Sequence, residues 1–136
     1  MIEITIVNQG SELARVAGLL DRLGAEHHPA PEVVADMQLA LDEVLTSISD
    51  YAYNSNAEHK IHICSQVLDN TLEAVIEDDG APFDPLAISA PDIRAPLHAL
   101  HVSGVGIHFV RNLMDEVTYD RVGERNRLVL RMRFKT

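Results

Sequence analysis

The chain has 136 residues, 46% of them hydrophobic and 24% charged, which suits one soluble domain built on a single core. Its formal net charge of -10 argues against nucleic acid or an anionic membrane as a general partner, because attraction to phosphate needs a basic face. The lone cysteine, Cys64, excludes an internal disulfide, and no apolar run is long enough to cross a bilayer.

The amino terminus runs straight into Ile2-Glu3-Ile4-Thr5-Ile6-Val7, with no basic region, apolar run or cleavage signal. A cytoplasmic location is therefore expected. The alternation of Ile2, Ile4 and Ile6 with Glu3 and Thr5 predicts a strand with one buried face. Asn8-Gln9-Gly10-Ser11 breaks it, and Ser11 is placed to cap a helix carried by Leu13, Val16, Leu20 and Leu23. Gly24 reads as the stop of that helix.

Pro31 suits the first turn of a second helix, with Glu32 near its positive end. This helix is expected to run to Tyr53. Val33, Met37, Leu41, Val44, Ile48 and Tyr51 recur at steps of three and four and form its apolar stripe. Glu43, Ser47 and Asp50 lie four and three apart, so they stack in one line at the border of that stripe. Taken alone, such a row is either one wall of a site or a boundary that merely meets solvent.

Two strands follow, about 59–68 and 71–77, joined by Asp69-Asn70. A two-residue link rich in Asx is a tight hairpin turn, which sets the register. Leu68 then pairs with Thr71, Val67 with Leu72, Ser65 with Ala74, Ile63 with Ile76 and Ile61 with Asp78. Asp78 therefore ends a buried row, where a carboxylate is costly to desolvate unless something binds it.

Gly80-Ala81-Pro82-Phe83-Asp84-Pro85 breaks the sheet, and no period holds from there to Ser103. An irregular connection of that length predicts a lid over about 81–103. Gly104-Val105-Gly106 opens a helix to Met114, and glycines at a helix start let an anion approach outward-pointing amides. The closing hairpin is expected as strands 117–122 and 127–134 around Gly123-Glu124-Arg125-Asn126. Leu128, Leu130, Met132 and Phe134 form one face of its last strand, and Arg127, Val129, Arg131 and Arg133 the other. A sheet with one apolar and one basic face carries its helices on one side. The expected fold is an α/β two-layer sandwich: a mixed, mostly antiparallel sheet of about five strands under three helices, in a single domain over 1–136.

An acidic row on a central helix, Asp78-x-Gly80 leaving a core strand, and Gly104-x-Gly106 opening a helix beyond a lid come in that order along the chain. Together they resemble the N, G1 and G2 boxes of the GHKL (Bergerat-fold) ATP-binding superfamily. Three runs look like the anti-sigma-factor serine-protein kinases of bacteria in particular: Ala40-Leu41-Asp42-Glu43-Val44-Leu45-Thr46, Glu77-Asp78-Asp79-Gly80-Ala81-Pro82-Phe83-Asp84-Pro85, and residues 104–117. Glu124-Arg125-Asn126-Arg127-Leu128 is also similar.

The resemblance implies that Asp78 accepts the adenine amino group and that Gly80 lets the base pass close to the backbone. Phe83 would fall within the same ATP site. Gly104, Val105 and Gly106 would present the phosphate-binding turn, and Glu43 would be the catalytic carboxylate. It further implies ATP with magnesium, an anti-sigma-antagonist or sigma-factor type of protein partner, and a homodimer. Three positions depart from the branch: Ser47 replaces the asparagine that holds magnesium, Tyr51 a histidine, and Val129 a threonine. Asp50, three residues beyond Ser47, could supply a metal oxygen instead.

Two functions follow. One is an ATP-dependent serine kinase; the other is a kinase-silent module that binds nucleotide or protein only. A separate metal site is a third class, with His98 and His101 at a usable spacing, but they read as ordinary loop histidines. His59 and His62 point to opposite faces of a strand, Cys64 reads as inert, and the arginines of the last strand read as a solvated face.

Overall fold

The computed structural model describes residues 2–7, 13–27, 31–47, 60–80 and 110–134. Five strands, β1 (Ile2–Val7), β2 (Lys60–Leu68), β3 (Thr71–Asp78), β4 (Glu116–Val122) and β5 (Arg125–Arg133), form one sheet in the order β1-β2-β3-β5-β4. All four neighbouring pairs are antiparallel. Helices α1 (Leu13–His27) and α2 (Pro31–Ser47) precede β2, and residues 110–113 are helical. The α/β sandwich expected from the sequence is the fold observed, one of its three helices being described only at 110–113.

The period-2 alternation of the strands decides which face meets the helices. Ile6, Ile61, Ile63, Leu72, Ala74, Ile76, Leu128 and Leu130 are buried and join Met37, Ala40, Leu41, Val44 and Leu45 of α2 in one cluster. Leu19, Leu20 and Leu23 of α1 and Val110 and Met114 belong to it too. Side chains of this kind contribute about 1.5–3 kcal/mol each when fully buried. The α2 stripe is as expected through Val44, and Leu45 widens it. Ile48 and Tyr51 lie outside the described residues.

The hairpin register at Asp69-Asn70 is observed at every pair that the turn implies. Asp69 and Asn70 take φ of 50° and 57°, the left-handed values of a type I′ turn that Asx side chains tolerate. Ser65, polar in an apolar row, is satisfied: its Oγ donates to the Glu73 carbonyl at 2.8 Å.

Two local expectations are corrected. Gly24 does not stop α1, which runs on to His27. The glycine is instead a packing residue, since a Cβ there would stand 3.0 Å from Cγ2 of Val34 on α2. The last hairpin has a two-residue link, Gly123-Glu124, rather than four, with Gly123 at φ 62°. Arg125 and Asn126 therefore belong to β5.

Candidate functional site

The sheet register places one row of side chains across the helix-facing surface at a single end: Ile6, Ile61, Asp78, Asn126 and Arg121, from β1 to β4. The row starts apolar and turns polar. Asp78 is 3% exposed and Asn126 4%. The next row inward, Ile4, Ile63, Ile76, Leu128 and Tyr119, is apolar apart from the tyrosine hydroxyl.

Asp78 is held through one oxygen. Its Oδ1 accepts from the Gly80 amide at 2.9 Å and from Asn126 Nδ2 at 3.0 Å. Oδ2 is hydrogen-bonded to none of the described residues. Asn126 Oδ1 in turn accepts from the Tyr119 hydroxyl at 2.6 Å and from Arg121 at 3.2 Å. Arg121 also donates to the Gly80 carbonyl at 2.8 Å. Burial pushes the Asp78 carboxyl above the usual range; the bonds from Asn126 and Gly80 and the charge of Arg121 pull it back, and Asp79 adds to the rise. A buried carboxylate with one oxygen bonded and one bare can accept a hydrogen bond from a ligand that carries an amino donor.

Of the expected site residues, Asp78 and Gly80 are brought together by a direct hydrogen bond. Glu43 lies on α2 between exposed Asp42 and buried Val44, half-buried as the border position implies. Ser47 is the last residue of α2, and its side chain is outside the described set, as are Asp50, Phe83, Gly104, Val105 and Gly106. Among the described residues no group of three or more His, Cys, Asp or Glu side chains could hold a metal ion. A pocket of about 320 Å³ opens on the seam between α1 and α2, lined by Val16, Ala17, Gln38, Leu39, Asp42 and Leu45. Gln38 there already bonds the Ala17 carbonyl and Asp21. The carboxylate oxygen without a partner among the described residues is at the sheet end, which makes that the candidate site.

The sequence motifs do not point to Tyr119, Arg121 and Asn126 as site residues. A signal existed for Asn126: it shares the strand parity of Leu128 and Leu130, so alternation carried one step back points it inward. Arg121 shares the parity of Val117, but a charge at an inward position reads as an error of register rather than as a site.

The profile of the histidine kinase-like ATPase domain matches residues 7–134. The chain belongs to that family. It is similar to the serine-protein kinase RsbW of Staphylococcus epidermidis, 29% identical over 108 residues, a match spanning 76% of this chain and 65% of that protein. RsbW of Bacillus thuringiensis is 28% identical over 106 residues, spanning 75% and 63%. The chain thus spans somewhat under two thirds of the length of these curated relatives. Among solved structures, it is similar to the RsbU and RsbW domains of a Mycobacterium tuberculosis protein, with a TM-score of 0.62 at 14% identity, covering 98% of this chain and 33% of that one. The histidine kinase domain of a blue-light-activated kinase from Erythrobacter litoralis gives 0.56 at 19%, covering 92% and 60%. These likenesses carry the fold. Among the described residues no helix is long and apolar enough to cross a membrane.

Proposed function

We propose that this histidine kinase-like ATPase domain binds ATP at the sheet end and acts as a regulatory serine-protein kinase of the RsbW type. The observation that carries the reading is Asp78: a buried carboxylate whose Oδ2 has no partner among the described residues, beside a glycine whose amide it bonds. Oδ2 accepts the exocyclic amino group of adenine, and the absence of a side chain at Gly80 leaves the backbone open to the base. Bound ATP would supply its γ-phosphoryl group to the serine oxygen of the partner, with the bond to the β-phosphate breaking and ADP leaving. Glu43 takes the proton from the serine hydroxyl of the partner, help worth about 10²–10⁴-fold when well placed. The partner is an anti-sigma-antagonist type of protein, with a sigma factor as the target held when the antagonist is absent. Similarity to RsbW over three quarters of the chain supports this class.

Ser47 favours a second reading, in which nucleotide is bound without transfer, since a serine stands where the branch carries its magnesium-holding asparagine. One experiment separates the two: calorimetric titration with ATP, with and without magnesium, followed by transfer of labelled phosphate to an antagonist-type protein. Binding strengthened by magnesium, with transfer that Glu43→Gln abolishes, supports the kinase. Binding indifferent to magnesium and without transfer supports the silent module. No heat at millimolar ATP removes both.

A further inference from the structure

Asn126 stands directly across the β3–β5 ladder from Asp78, and its amide cannot turn freely. Arg121 has donors only, so the Asn126 atom at 3.2 Å from it is the carbonyl oxygen Oδ1. The Tyr119 hydroxyl meets the same oxygen at 2.6 Å. Nδ2 is thereby directed at Asp78 Oδ1, where it donates at 3.0 Å. Turning the amide over would face an NH₂ group toward the guanidinium and a carbonyl toward the carboxylate. Arg121 also grips the Gly80 carbonyl, and Gly80 supplies the second donor to Asp78 Oδ1. One guanidinium therefore fixes both donors that hold the carboxylate.

We propose that Asn126, locked by Tyr119 and Arg121, is the positioning residue that sets the polarity of the base pocket, so that the site takes a 6-aminopurine and rejects a 6-oxopurine. The inference rests on the nucleotide reading above and adds the residues that enforce its selectivity. With Oδ1 saturated by two donors, Oδ2 presents an acceptor. The amino group of adenine satisfies it, whereas the oxygen of hypoxanthine or guanine would put acceptor against acceptor. Sites built around such a bond reject the analogue that lacks it far more strongly than apolar pockets reject a shape change. The polarity holds only while Asp78 is ionised. Burial and Asp79 oppose that state; Asn126, Gly80 and Arg121 favour it, and Ile61 across β2 is neutral. Without Asn126 the carboxyl takes up a proton more readily, and a protonated Oδ2 can donate to a 6-oxo group.

The test is titration of the full chain with ATP and with inosine triphosphate, from about pH 5 to pH 8, for the wild type and Asn126→Leu. The wild type should prefer ATP by about 100-fold or more. Asn126→Leu should narrow that ratio at least about tenfold and move the acid loss of ATP binding upward by about one pH unit. A merely structural asparagine would lower the melting temperature and leave both the ratio and the pH midpoint in place; that result overturns the proposal. Should Asn126→Leu fail to fold, the double variant Tyr119→Phe/Arg121→Met on edge strand β4 removes these two donors to Oδ1 and leaves Asn126 in place. It should narrow the ratio by about threefold, since each lost bond weakens the lock by a modest amount. An unchanged ratio there also overturns the inference. If the wild type binds neither nucleotide, the nucleotide reading itself has failed; if it binds ATP but the variants keep its selectivity, only the role of Asn126 has.

Discussion

Two carboxylates on β3 are built alike and tuned in opposite directions. Asp78 and Glu73 stand five residues apart on opposite faces of the sheet, and each is bonded to the β5 residue directly across from it, Asn126 and Arg131 respectively. Glu73 accepts from Arg131 at 2.7 Å and from Gln66 at 3.1 Å, and Arg131 reaches on to Glu116 at 3.0 Å. Partial burial pulls the Glu73 carboxyl up, but the bonds and charge of Arg131 with the Gln66 bond outweigh it, so it sits below the usual range. Asp78 has only neutral donors in contact with it, and burial holds it above that range. A carboxylate met by a cation on an open face belongs to the fold. One held by amides at a buried sheet end, with an oxygen that has no partner among the described residues, is what the proposed nucleotide site requires.

The largest effect expected from that contrast is at Asp78. Asp78→Asn keeps an oxygen for the Gly80 and Asn126 donors but turns an NH₂ group toward the base. Affinity for ATP should fall by about 10–100-fold or more, the cost of facing a buried donor with a donor. Titration calorimetry reads it. Unaltered affinity would mean that the base does not meet this carboxylate.

The next effect is in pH, and the two groups should move oppositely. A raised carboxyl pKa means that the folded state holds the proton more tightly than the unfolded chain does. Any stability that Asp78 contributes is full below its unfolded pKa and lost as pH rises through the folded value, so its charge is a cost at neutral pH. ATP affinity needs that charge and should fall about tenfold per pH unit below the Asp78 pKa, beginning above the range of an ordinary aspartate. Glu73 is the reverse: its contribution is present above its unfolded pKa and lost only as pH falls through its lowered folded value. Binding should therefore be lost on acidification before the outer ladder releases, as parallel titration and melting curves would show.

The smallest effect is on the outer face. Glu73→Gln should cost no more than about 1 kcal/mol of stability, because the pair is partly open to solvent, and should leave ATP affinity where it was. A change in affinity there would couple the two faces and erase the distinction.

Much of this was legible because local chemistry decides it. Asp69-Asn70 fixes one hairpin, the hairpin fixes a register, and the register puts Asp78 at the end of a buried row. Asn126 was hidden by the same kind of reasoning: Gly123-Glu124-Arg125-Asn126 reads as a turn, although Gly123 with positive φ closes it in two residues. The partnership of Arg131 with Glu73 was out of reach, since β3 and β5 are joined by no short turn that could set their register. Gly24 looks like a helix stop in the sequence because its role lies in the approach of α2, which no local pattern encodes. Glu43 falls at the half-buried border that its spacing predicts. On the phosphate side of the expected site, the side chain of Ser47 and residues Asp50, Gly104, Val105 and Gly106 lie outside the described set.

The most direct test is a set of melting curves for the wild type, Asp78→Asn and Glu73→Gln, each with and without saturating ATP. ATP should raise the melting temperature of the wild type and of Glu73→Gln by equal amounts and that of Asp78→Asn by much less, while Asp78→Asn alone melts at or above the wild type because a buried charge is gone. A rise of equal size in all three, or an Asp78→Asn chain that melts well below the wild type without ligand, would contradict the assignment of Asp78 to the nucleotide rather than to the fold.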